Sequence, residues 1–147
     1  MDMVGTPMLM AIEEKPFLIK PNKSELEDIC GRHLYYDIDV IAAAKELVER
    51  GIERVVVSLG AEGALFVTEN QVLRGFTVKV PVKGQTGAGD SMMAALAYYS
   101  EQGCSWSEIC QRSMAISSAH VMHPGSETAT AEEMEALLPQ IRIEELM

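Results

Sequence analysis

The chain has 147 residues, of which 48% are hydrophobic and 23% charged, a composition that supports one domain with its own core. Its formal net charge is -10, from 22 acidic and 12 basic residues, which speaks against a basic footprint for nucleic acid. No apolar run approaches the roughly 18 residues of a membrane span, and the N-terminus has no basic region of the signal-peptide kind.

Cys30, Cys104 and Cys110 are odd in number and irregular in spacing, which fits reduced thiols in a cytoplasmic protein rather than a disulfide framework. Aromatic residues are 5% of the chain, so the core is expected to be aliphatic and thioether.

In chain order, residues 8–14 read as a short helix ended by Pro16. Residues 16–20 are a short apolar run and read as a buried strand. Pro21 and Asn22 open a helix through Ile29, which Gly31 stops. From Asp39 to Arg50, Val40, Ile41, Ala44, Leu47 and Val48 recur at helical spacing, and Gly51 ends the run. Val55, Val56 and Val57 are β-branched without alternation, as in a strand covered on both faces.

Gly60 and Gly63 then break the chain. Residues 64–68, 72–76 and 77–82 read as short strands joined as antiparallel hairpins. A Gly-rich turn precedes a helix from about residue 88 to 102, closed by Gly103. Ser105 with Glu108 fits a capping box for a helix to about Val121. Residues 123–126 are a turn. Thr130 with Glu133 fits a second box, opening a helix to Leu138 that Pro139 ends. Residues 140–143 read as an edge strand. The order implies an α/β layered arrangement without repeats or linkers.

Three motifs carry chemistry. The sharpest is Gly87-Ala88-Gly89-Asp90 before the long helix. The glycines permit a tight turn and close backbone approach. Free N–H groups and the dipole at the helix start favour an anion. An Asp beside a phosphoryl group can take the proton of an attacking hydroxyl. The plainer reading is that Gly-rich turns open many helices and Asp suits a first turn.

The second motif is Lys20-Pro21-Asn22 with Glu25. Asn22 and Glu25 share a helix face and suit the hydration shell of Mg²⁺; they suit an ordinary capping box equally. The third is Ser58-Leu59-Gly60 with Gly63, where a buried strand ends and open α/β sheets bind ligands. An ordinary strand-to-hairpin turn has the same residues.

Other candidates read as packing or solvated surface. His120 and His123 lack further ligands at metal-binding spacing. His33 reads as solvated, Met92, Met93, Tyr98, Tyr99 and Trp106 as packing, and Glu132, Glu133 and Glu135 as a solvated helix face.

Taken together, KPNKSEL, VVVSLGAEGAL and TGAGDSMMAAL resemble, in order and spacing, the C-terminal half of the ribokinase-like PfkB carbohydrate kinases. Within that family they look most like 1-phosphofructokinase and tagatose-6-phosphate kinase. The resemblance covers about Phe17 to Pro139.

It implies a three-layer ribokinase-like sandwich, of which residues 1–147 form the C-terminal nucleotide-binding and catalytic half as one domain with a β-hairpin portion. It implies ATP and Mg²⁺ as cofactors and a sugar phosphate as substrate. Asp90 matches the family's catalytic base, and Gly87, Ala88 and Gly89 match its anion hole. Asn22 and Glu25 match the motif that influences Mg²⁺, through water. Lys20 matches a lysine near the nucleotide phosphates. Ser58, Gly60, Ala61, Glu62, Gly63 and Thr86 match nucleotide contacts, and Met114 and Ser118 match residues beside the adenine.

Gly84 and Gln85 depart from the family's usual residues before the GAGD turn. Relatives are also about twice as long, and their N-terminal half supplies most sugar contacts. Two alternatives therefore stand: a non-catalytic nucleotide- or phosphate-binding module or inert fragment, and a kinase of another sugar or nucleoside. A missing part of the sheet exposes edge and apolar surface, so self-association is expected.

Overall fold

The computed structural model describes residues 17–77, 88–122 and 130–146. The helix expected over 8–14, the bulk of the strand expected over 77–82, and the turn over 123–126 lie outside these residues. Among the described residues there are five strands: β1 (Leu18–Ile19), β2 (Arg54–Ser58), β3 (Ala64–Val67), β4 (Val72–Gly75) and β5 (Ile143–Glu145). Five helices accompany them: α1 (Lys23–Cys30), α2 (Asp37–Glu49), α3 (Ala88–Glu101), α4 (Trp106–His120) and α5 (Ala131–Leu137). Strand order follows chain order, β1 to β5. The chain forms two compact units, Met1–Arg74 with Glu145–Met147, and Gly75–Glu144.

In the first unit β1 runs parallel to β2, with Ile19 opposite Val55. β2 runs antiparallel to β3, with Val56 opposite Phe66 and Ser58 opposite Ala64. Val55, Val56 and Val57 are fully buried, as the unbroken β-branched run implied. One sheet face, bearing Val55, Val57, Leu65 and Val67, packs with Leu26 of α1 and Leu47 of α2 in one core. At the far edge Leu146 N–H donates to Val72 O at 2.8 Å.

Both helices of this unit obey local rules. Asn22 caps α1, and Gly31 ends it at φ 70. α2 starts two residues before the expected Asp39, because the Tyr36 N–H finds an acceptor in the Asp39 carboxylate at 3.0 Å. Gly51, at φ 108, follows its last turn.

The second unit is helical. Its buried side chains recur at helical spacing: Met92 and Leu96 on α3, Ile109 and Cys110 on α4, Met134 and Leu137 on α5. Ser105 accepts from the Glu108 N–H, but the return bond from the Glu108 carboxylate that a full capping box needs is not formed; the Thr130–Glu133 box is complete in both directions. Trp106 is buried, as a packing anchor should be. The adjacent tyrosines diverge: the Arg112 guanidinium lies 5.1 Å from the Tyr99 ring centroid, while Tyr98 is exposed. The edge strand expected over 140–143 begins at Ile143, because Leu138–Gln140 continue as a 3₁₀ turn around Pro139.

Burial pushes the Cys110 thiol far up from its ordinary pKa, which leaves it protonated and inert at neutral or mildly alkaline pH. Cys30 and Cys104 are only partly buried. Iodoacetamide at pH 8 should therefore label Cys30 and Cys104 in the folded chain and reach Cys110 only after denaturant is added. Rapid labelling of Cys110 without denaturant, read by peptide mass, would contradict this packing.

Candidate functional site

Short-range physics places one side of the site. At the end of β1 the chain turns at Pro21 into α1. Asn22 Oδ1 accepts the Glu25 N–H at 2.8 Å, and Glu25 Oε1 accepts the Asn22 N–H at 2.9 Å. The capping-box reading of this pair is thus realised. It does not exhaust the pair: among the described residues Glu25, which is buried, makes no further hydrogen bond. The remaining carboxylate oxygen and the amide oxygen are hard donors of the kind Mg²⁺ takes through water. No group of three or more acidic, His or Cys residues that would form an all-protein cage occurs among the described residues. The donor set therefore fits an Mg²⁺ that keeps its waters and leans on phosphate.

Long-range pairing adds the second motif. Ser58 N–H donates to Pro21 O at 3.1 Å, and Asn22 and Ser58 form an isolated parallel bridge. The C-terminal ends of β1 and β2 thus hold both motifs side by side, where open α/β sheets bind ligands. A cleft of about 250 Å³ opens there, lined by Asn22, Lys23, Ser24, Ser58, Gly60 and Glu62 among others. The first N–H groups of α1 have no intrahelical acceptor and stand at this cleft. Lys20, directly before the turn, is 8% exposed, and its ammonium has no hydrogen bond or ion pair among the described residues. The buried stem thus carries a positive charge that no side chain among the described residues claims, which leaves it available to an anion.

The loop after β2 closes the cleft as a 3₁₀ turn over Gly60–Glu62. Gly60 sits at φ 63, and Gly63 at φ 102, ψ -136, a conformation that only glycine adopts without strain. Gly63→Ala should destabilise the chain by about 1–3 kcal/mol and weaken any ligand the loop holds. Denaturant titration checks the first; an unchanged midpoint would mean that the loop is not held as described. Nothing in the sequence pointed to the loop's support. Arg74, from β4, pairs with Asp37 at the start of α2, and its Nη2 lies 3.4 Å from the Glu62 carbonyl.

In the second unit the backbone of Ala88, Gly89 and Asp90 forms the first turn of α3. Thr86 and Gly87 lie outside the described residues. Met114 and Ser118 are buried one turn apart on α4. His120, considered above only for metal binding, is buried, and its Nδ1 lies 2.9 Å from Ser91 Oγ. His33 is exposed, with Nδ1 3.6 Å from Glu27.

Comparison with known proteins places this geometry. The family described as pfkB family carbohydrate kinase matches residues 2–133. A 1-phosphofructokinase of Vibrio cholerae serotype O1 is 35% identical over 139 residues, 95% of this chain and 44% of that protein. Among solved structures, phosphofructokinase-2 from Escherichia coli, in complex with substrates and products, superimposes with a TM-score of 0.86 at 30% identity, over 90% of this chain and 44% of that one. Ribokinase from Thermotoga maritima does so with a TM-score of 0.73 at 29% identity, over 84% and 42%. The α/β architecture is thus ribokinase-like. The chain spans about half the length of the curated relatives it matches.

Proposed function

We propose, from the premise that this chain belongs to the pfkB family of carbohydrate kinases, that it carries the nucleotide-binding and catalytic half of an ATP-dependent kinase. The acceptor is a phosphorylated ketohexose, of the 1-phosphofructokinase or tagatose-6-phosphate kinase type; relatives that carry the first of these names support the choice. The observation that carries the nucleotide half of this reading is the junction of Asn22 and Ser58 at the ends of β1 and β2, next to Lys20, whose ammonium has no partner among the described residues.

In this reading Lys20 and the N–H groups opening α1 meet the nucleotide phosphates. Ser58 and the loop Gly60, Ala61, Glu62 and Gly63 flank the nucleotide, with Thr86, Met114 and Ser118 on its base side. Asn22 and Glu25 hold the waters of Mg²⁺, which neutralises phosphate charge when bound. Asp90 takes the proton from the acceptor hydroxyl as that oxygen attacks the γ-phosphorus. The bond to the bridging oxygen breaks, and ADP leaves. The N–H groups of Gly87, Ala88 and Gly89 meet the charge developing on the transferred group.

Calorimetric titration of the 147-residue chain with MgATP, beside Asp90→Asn, tests this. Similar binding by both marks an intact nucleotide site, with Asp90 acting in chemistry rather than in binding. A folded chain that binds no nucleotide would reduce the kinase likeness to ancestry. A second reading is a nucleotide-binding module without turnover. Retained binding without ADP release from ATP and a phosphorylated ketohexose would select it. Self-association belongs to either reading; light scattering that stays monomeric over a wide concentration range would remove it.

A further inference from the structure

Two polar side chains of the second unit meet, and no spacing in the sequence pairs them. Ser91 follows Asp90 in the first turn of α3, and His120 is the last residue of α4. Ser91 Oγ lies 2.9 Å from His120 Nδ1, a full hydrogen bond by distance. His120 is 4% exposed, so water competes little for that bond. The buried side chains of the two helices include Met92, Leu96, Ala115 and Ala119, with Ser113 and Ser118 as buried polar members of α4. Such packing sets how closely two helices approach, but methionine and alanine surfaces tolerate small slides and rotations. A directional bond at the end of each helix removes that freedom where it matters.

We propose that Ser91 and His120 are positioning residues. Their bond pins the first turn of α3, with the backbone of Gly89 and Asp90, to the end of α4. This rests on the reading of Asp90 as the base and of Gly87–Gly89 as the anion-binding turn. Displacement of such a turn by about 1 Å is enough to cost two orders of magnitude in phosphoryl transfer. The two residues themselves touch neither substrate nor nucleotide in this scheme; they act through the turn.

The test uses the 147-residue chain, Ser91→Ala and Ser91→Thr, with two readouts. The first is amide hydrogen exchange at residues 91–94. Ser91→Ala should speed it roughly tenfold in that turn, and Ser91→Thr, which keeps a hydroxyl, should stay within about twofold of the parent. The second is the calorimetric affinity for ATP against ADP. Ser91→Ala should weaken ATP by roughly fivefold and leave ADP unchanged, since only the γ-phosphoryl group reaches the turn.

Unchanged exchange in Ser91→Ala, or a Thr variant as disturbed as the Ala variant, overturns the pin. Equal losses for ATP and ADP overturn the positioning role and leave a bond of structural use alone. A parent chain that binds neither nucleotide, with the exchange effect present and rescued by Thr, supports the pin while removing the kinase reading.

Discussion

Lys20→Met should weaken MgATP binding by roughly ten- to hundredfold, the worth of a hydrogen bond to a charged group, and should leave stability to urea within about 0.5 kcal/mol. Both results come from one arrangement. The stem of Lys20 is buried, and no partner among the described residues claims its charge. Without ligand, a methionine of similar length packs as the stem does and breaks no bond. With nucleotide present, the same charge meets phosphate oxygens, and the methionine cannot. Calorimetry and urea titration on one preparation read both effects. Loss of stability together with loss of binding would assign Lys20 a structural role, and undiminished binding would remove it from the phosphate site.

Leu65→Ala should cost about 2–5 kcal/mol of folding free energy. Leu65 is fully buried on β3 and belongs to the core that β2 and β3 share with α1 and α2. The substitution removes apolar surface from that core and leaves a cavity that a sheet paired on both sides closes only in part. Domains of this size keep about 5–15 kcal/mol in hand, so the variant should fold with a sharply lowered urea midpoint. Because Leu65 lies opposite Val57, one residue before Ser58, some loss of nucleotide affinity should accompany it. A shift of the midpoint worth less than about 1 kcal/mol would mean that this face is looser than the burial implies.

The local elements were legible in the sequence because their causes are local. Asn22 with Glu25, Ser105 with Glu108, and Thr130 with Glu133 stand three apart, the spacing that capping requires. Gly31 and Gly103 adopt left-handed conformations at the helix ends where they were expected. The run Val55–Val57 is covered on both faces because three branched residues without alternation leave no polar face for water. The family likeness was legible for a related reason: each motif is a short stretch in which backbone turn and chemistry are fixed together.

Tertiary structure decided what joins residues far apart in the chain. It alone set Asn22 beside Ser58, since strand pairing depends on which segments share a core and not on any local spacing. It showed that the Asn22–Glu25 pair caps a helix and still leaves carboxylate capacity, where the sequence had offered these uses as alternatives. Arg74 beneath the loop and His120 against Ser91 had no signal at all. One arginine on a strand and one histidine at a helix end have no periodicity, and a single side-chain hydrogen bond across 29 residues leaves no pattern in either partner's neighbourhood. The sequence by itself determined the elements, the motifs and the family; the meeting of strand ends, and the bonds that brace the loop and the first turn of α3, exist only once the chain has folded.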